Sequence, residues 1–208
     1  MKKYLFTAFV TVFLFSIFVT GCNKNKDREI YESTVKKELD SGIRNDTIFL
    51  SFTFGMRSDD FARRLKKLRK EGILYFNENK EYSYEMQLIE GINGIVEANL
   101  SDSYFVDRLY QLTLSVEPTK KNEDIIYPSY IHTLLTSLYA EKYGYDYFKI
   151  EGTFNEEIVF IDGNREIRII EDAADVKVVY TELNMQRDKR IVEKTDLNKK
   201  VHKTKTDL

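Results

Sequence analysis

The chain has 208 residues, 42% of them hydrophobic and 32% charged, a length that suits one domain or two very small ones. This composition argues against collagen-like, disulfide-scaffold and wholly disordered classes. The 32 basic and 34 acidic residues leave a net charge of -2, so no global field gathers nucleic acid, and one cysteine with two histidines leaves little material for a metal site, a disulfide or a nucleophilic triad.

Lys2 and Lys3 precede an apolar run from Tyr4 to Val19, interrupted only by Thr7, Thr11 and Ser16. A bilayer-spanning helix takes about 20 apolar residues, so the run is sized for a signal peptide. It ends in Val19-Thr20-Gly21-Cys22, which resembles a bacterial lipobox, with the only cysteine of the chain where that motif requires one. The resemblance implies that residues 1–21 are a signal peptide that is removed. Cys22 then becomes the acylated N-terminus, and its palmitate-type chains hold the protein on a lipid bilayer without a transmembrane helix. Residues 22–45 follow as acylated cysteine and polar tether, with at most a short helix over 29–44. A flexible tether of that length spans on the order of 25–30 Å. Asn23 follows the cysteine, and the next residues are basic. By similarity to lipoprotein sorting patterns, this points to an outer-membrane lipoprotein of the cell envelope that faces the periplasm.

From Thr47 the pattern changes. Ile48, Leu50, Phe52 and Phe54 alternate with Thr47, Ser51 and Thr53, which predicts a strand with one buried face, although Phe49 breaks its polar side. Ser58 is the expected N-cap of a helix whose first turn holds Asp59 and Asp60 and whose end holds Arg69 and Lys70. Phe61, Leu65 and Leu68 form its apolar stripe, and Gly72 suits a left-handed stop. Strands are predicted over 73–76, 82–88, 95–100 and 110–116, and a second helix over 129–143. Ile131, Leu134, Leu135, Leu138 and Tyr139 make up its expected buried face. Strands return over 148–150, 157–161, 166–170 and 176–180, with Asp162-Gly163-Asn164 as a hairpin signal. Residues 184–208 carry eight Lys or Arg against four Asp or Glu and are expected to be a disordered tail or a frayed helix. The domain is therefore expected over 46–183. Its predicted class is α+β, a two-layer sandwich in which two helices pack on antiparallel meanders. A helix followed by four strands is given twice, with an extra strand in front.

Arg44-Asn45-Asp46-Thr47-Ile48-Phe49-Leu50, Phe54-Gly55-Met56 and Asp60-Phe61 resemble an uncharacterised group of Bacteroidota lipoproteins, thinly over residues 42–182. More distantly, the strand-Gly-Met-x-Ser-x-x-Phe-helix run is similar to small envelope lipoproteins of the outer-membrane assembly (BamE-like) type. Those share a helix-plus-meander shape with β-lactamase-inhibitor-protein-like domains. That second resemblance covers about twenty residues and departs after the helix, where Leu68-Arg69-Lys70-Glu71 replaces the usual Leu-Gly-x-Pro. Neither resemblance supplies a catalytic residue, and both bear on fold alone. Asp46-Thr47-Ile48 also resembles an envelope O-glycosylation motif.

No catalytic constellation is legible. His132 reads as a packed side chain of the second helix, and no phosphate loop, dinucleotide fingerprint, nucleophile elbow or metal-ligand spacing appears. No cofactor or metal is expected. Carboxylates are plentiful, so Glu156 or Glu157 with Asp162 stays open as the acid pair of a small carboxylate-dependent hydrolase. Six bases from Arg63 to Lys70 read as a solvated helix face or as a contact for anionic headgroups or glycans. Tyrosines are denser than elsewhere, at 127, 130, 139, 143, 145 and 147. Some must be core. Tyr127, Tyr130, Tyr143, Tyr145 and Tyr147 are the candidate binding residues for a protein or glycan partner, since tyrosine gives large contact area for little entropy. The favoured reading is a membrane-anchored, non-catalytic binding module.

Overall fold

The computed structural model describes residues 23–87, 95–119 and 126–206. The apolar leader, the lipobox and Cys22 lie outside the described residues, as do Leu88 and residues 120–125. The chain divides into two units, residues 1–37 and 38–208.

The segment expected to be a tether is helical. Helix α1 spans Asn23–Asp40. No glycine or proline interrupts it before Gly42, and Arg28 pairs with Glu32 at 2.9 Å one turn apart. It has no sustained apolar stripe, so the sequence did not announce it. At 1.5 Å per residue, α1 is about 27 Å long.

In the second unit, the predicted strand over 47–54 is instead a fold-back. Phe49–Ser51 form a 3-10 turn with Leu50 and Ser51 at φ of 50° and 61°, and the Ile48 amide donates to the Phe52 carbonyl at 2.7 Å. The alternation was real, but a flat strand would have left Phe49 on the polar side. Folding back buries Ile48, Phe52 and Phe54 and packs Phe49 and Leu50 against the same core. The segment is stitched to a later strand through Gly55 N to Leu109 O and Leu109 N to Met56 O, both 2.8 Å.

Helix α2, Ser58–Lys70, buries Phe61, Leu65 and Leu68, the stripe expected from sequence. Its cap differs. Arg57 occupies the cap position, and Asp107 from a distant turn accepts from the Ser58 hydroxyl at 2.6 Å. Gly72 takes φ of 75° at the stop, as its lack of a Cβ allows.

Eight strands follow in two runs: β1 Tyr75–Phe76, β2 Tyr82–Gln87, β3 Ile95–Phe105 and β4 Arg108–Pro118, then β5 Phe148–Glu151, β6 Glu156–Asp162, β7 Arg165–Glu171 and β8 Val176–Glu182. Helix α3, Pro128–Tyr143, separates the runs, and helix α4, Leu183–Thr206, follows them. Among the described residues the fold is α+β, with four helices and one antiparallel sheet of strand order β1-β2-β3-β4-β8-β7-β6-β5. The two runs meet where Leu112 pairs with Tyr180 and Leu114 with Val178.

Register sorts the side chains. Ala98, Leu112, Leu114, Val178, Tyr180, Ile167, Ile169, Ile158 and Phe160 alternate toward one core, which also takes Phe61, Leu65 and Leu68 of α2 and Ile131 and Leu135 of α3. The intervening positions are polar over β2–β4, where Ser83, Asn99 and Ser115 pair in one row and Glu85, Glu97 and Glu117 in the next.

The basic tail is also helical. Glu182 is fully buried and its Oε2 accepts the Met185 amide at 2.5 Å, so a carboxylate caps the positive end of α4. Lys189 Nζ then donates to the Tyr110 hydroxyl at 2.7 Å. No glycine or proline interrupts residues 183–206.

Candidate binding surface

Helix α3 lies against β4, β6, β7 and β8. Pro128 opens it, where a missing amide costs nothing, and Gly144 ends it. Ile131, His132, Leu135 and Ala140 are buried, and Leu134, Tyr139 and Tyr143 are half-buried. The expected buried face was partly misplaced. Leu138 is 43% exposed, because α3 is apolar on both sides and its sequence pattern does not say which side turns inward. His132 Nε2 and Thr136 Oγ1 are buried without a hydrogen-bond partner among the described residues.

The structure divides the tyrosines. Tyr139 and Tyr180 share a hydrogen bond through their hydroxyls, and burial pushes both phenols above their ordinary range. Tyr143 stacks on Tyr139 with centroids 5.8 Å apart, and the Arg165 guanidinium carbon lies 5.1 Å from the Tyr143 ring centroid. Tyr147 packs against Phe160 at 5.3 Å. Tyr143 and Tyr147 thus belong to the packed layer. Tyr127, Tyr130 and Tyr145 are 64%, 46% and 73% exposed.

Tyr127 precedes α3, Tyr130 and Leu138 lie on its exposed part, and Tyr145 follows its end. The hydroxyls between them are occupied: Thr133 Oγ1 donates to Ser129 O at 2.9 Å and Ser137 Oγ to Thr133 O at 3.1 Å. The exposed tyrosines add ring area and hydroxyls beside the exposed Glu141 and Lys142.

A polar latch fixes the neighbouring turn. Gly163 has φ of 61° and lies so close to the Ile43 carbonyl that a Cβ would come within 2.6 Å of its oxygen, so only glycine fits. The buried Asn164 donates from Nδ2 to Asp46 Oδ1 and to Glu182 Oε1, both 2.9 Å, and accepts the Asn45 amide at 2.5 Å. Arg165 donates to the Thr47 carbonyl and pairs with Asp162 while lying over Tyr143. This group ties the segment at 43–47, the β6–β7 turn and the start of α4 to the aromatic layer. Sequence reasoning saw the turn but none of these partners.

The open carboxylate pair does not converge. Glu157 and Asp162 are five positions apart on β6, so strand alternation sends them to opposite sheet faces. Glu156 and Asp162 share a face but stand about 20 Å apart along the strand, beyond the roughly 5–9.5 Å of paired glycosidase acids. Each acid is also held by a cation or amide: Glu156 by Lys149 at 3.1 Å, Glu157 by Arg168 at 3.2 Å, and Asp162 by Asn45 Nδ2 at 2.6 Å. The Glu85–Glu97–Glu117 row is tied in part by the Tyr75 hydroxyl, donating to Glu97 at 2.9 Å, and by Asn99 Nδ2, donating to Glu117 at 2.8 Å. No cluster of His, Cys, Asp and Glu among the described residues is arranged to hold a metal ion. No helix among them is long and apolar enough to cross a membrane.

With this geometry in place, the class of the protein is an α+β domain with an exposed aromatic helix side. The chain matches no family model, no curated protein and no solved structure.

Proposed function

We propose that the chain is a lipid-anchored envelope lipoprotein whose domain is a non-catalytic module that binds a protein through the outer side of α3. The observation that carries this reading is the exposure of Tyr127, Tyr130, Leu138 and Tyr145 on α3 and at its two ends. Tyrosine is enriched in protein interfaces, where it gives large contact area. The separation of Glu157 and Glu156 from Asp162 supports the non-catalytic part.

Anchoring at Cys22, removal of residues 1–21 and an outer-membrane position facing the periplasm belong to the same proposal and rest on the lipobox resemblance. Kinship with the Bacteroidota-type lipoproteins and the distant likeness to BamE-like and inhibitor-protein-like domains belong to it too, and rest on the runs between Arg44 and Phe61. We read the fold as a two-layer sandwich in which the unit of one helix and four strands is given twice. Its support is the chain order α2, β1–β4, α3, β5–β8 and the single core that takes residues from both helices.

The test is crosslinking in intact cells. The expected outcome is a discrete adduct that yields peptides of a second protein and that disappears when Tyr127, Tyr130 and Tyr145 are changed to Ala with folding retained. An adduct whose added mass is lost to glycosidases and that yields no second protein's peptides identifies a glycan instead. An adduct indifferent to all three changes contradicts the surface.

A further inference from the structure

Strand β5, Phe148–Glu151, ends the sheet opposite β1, so one side of its backbone pairs with β6 and the other faces no strand among the described residues. An open edge of this kind is a template for a further strand. Pairing with β6 fixes where its side chains stand. Lys149 lies opposite Ile158 and Glu151 opposite Glu156, on the sheet face that carries Ile158 and Phe160. Phe148 and Ile150 lie on the other face and are half-buried.

The charges of this edge complement one another about Ile150. Lys149 and Glu151 flank that residue, and both are exposed. Two β5 strands paired antiparallel about Ile150 set each Lys149 opposite the second copy's Glu151, with both pairs on one sheet face. Centring the pairing on Lys149 or on Glu151 would instead set like charges opposite each other. Within one chain, Lys149 is held by the exposed Glu156 at 3.1 Å, and Glu156 stands opposite Glu151 as a like pair. In the two-fold arrangement each Lys149 lies between its own Glu156 and the second copy's Glu151. Asp146, exposed before the strand, falls beyond the paired residues. Exposed rings repeat the pattern: Tyr145, just before β5, is 73% exposed, and Phe154, in the turn after it, is 58% exposed. Antiparallel pairing brings the start of one strand beside the end of the other, so each Phe154 comes to the end where the second copy presents Tyr145.

We infer that β5 is a self-association edge, which pairs antiparallel with β5 of a second copy about a two-fold axis between the two Ile150 residues. A two-fold interface uses one patch twice, and this edge supplies the required self-complementarity in both its charges and its rings. Backbone hydrogen bonds hold the added strand, and the side-chain pairs set its register. The contact goes beyond the α3 reading and uses neither Tyr127 nor Tyr130.

The experiment uses the full chain in detergent with Cys22→Ser and Ile150→Cys, which leaves one thiol. Directly opposite residues of antiparallel strands have Cα atoms about 4.5–5.5 Å apart, within disulfide reach. Mild oxidation is expected to give a disulfide-linked dimer. With the thiol placed by Val106→Cys instead, at a side chain 79% exposed, the chain should stay monomeric. Lys149→Glu makes both cross-strand pairs like-charged and should weaken the trapping about ten-fold. Adding Glu151→Lys restores opposite charges and should restore the dimer. Tyr127→Ala with Tyr130→Ala should leave the dimer unchanged, which separates failure of the α3 reading from failure here. Equal dimer from positions 106 and 150 overturns the inference. So does a dimer indifferent to Lys149→Glu, or a loss that Glu151→Lys does not rescue.

Discussion

Val106 sits at the tip of the β3–β4 hairpin with φ of 49°, next to Asp107 at 56°. Two successive left-handed residues make the turn type that suits hairpin twist, but a β-branched side chain is among the worst occupants of that region. Asp107 is retained because it accepts from Ser58 and so secures the start of α2, and that hydrogen bond holds its carboxyl below the usual range. Val106→Asn or Val106→Gly should therefore stabilise the protein by about 1 kcal/mol, read as a raised denaturation midpoint. An unchanged or lowered midpoint would show that the turn is not strained. Asn164 lies at the opposite extreme. It is buried, and its amide joins Asp46, Glu182 and the Asn45 backbone. Asn164→Ala takes one hydrogen bond from each of Asp46 and Glu182 and removes the acceptor of the Asn45 amide, and should cost about 1–3 kcal/mol, which equilibrium unfolding would measure.

At the scale of elements, the cost of truncating a leucine reports which side of a helix is buried. Leu65→Ala in α2 and Leu135→Ala in α3 should each cost about 2–5 kcal/mol, whereas the exposed Leu138→Ala should stay within about 0.5 kcal/mol. Equal losses at 135 and 138 would mean that α3 is rotated from the orientation described. The contrast also explains what was legible beforehand. Helix α2 could be read except for its cap, because its apolar residues occupy one stripe between acidic start and basic end. Helix α3 could be placed but not oriented, since Tyr130 and Leu138 continue its apolar character onto the outer side. The β-strands were read from alternation, yet the same alternation at 48–54 served a fold-back in which both phases are packed. Helices α1 and α4 left no amphipathic signal, and a polar sequence free of glycine and proline looks alike as coil or helix. The latch was invisible because its partners, Asn45 and Asn164, are 119 positions apart. For the candidate surface, tyrosine density pointed to the right helix, but only packing against Phe160 and Arg165 removed Tyr143 and Tyr147 from its exposed part.

For the whole molecule, stability should fall at alkaline pH. Burial raises the phenols of Tyr139 and Tyr180 above the ordinary 10.0, and Tyr75 and Tyr104 are raised by burial and by carboxylate partners. Below about pH 10 both folded and unfolded chains hold these protons and the raised values change nothing. Above it the unfolded chain releases protons that the fold retains, so folding weakens as pH rises. Tyr139→Phe with Tyr180→Phe should flatten that alkaline slope, and an unaltered slope would contradict the buried pair. The proposed function holds the domain at a bilayer and turns α3 to a partner, and its placement depends on Cys22. The most direct measurement is metabolic labelling with an alkyne fatty acid, comparing the wild-type chain with Cys22→Ser. The account predicts a labelled, membrane-fractionating wild type and an unlabelled variant. Equal labelling of the two chains, or none in either, would contradict it.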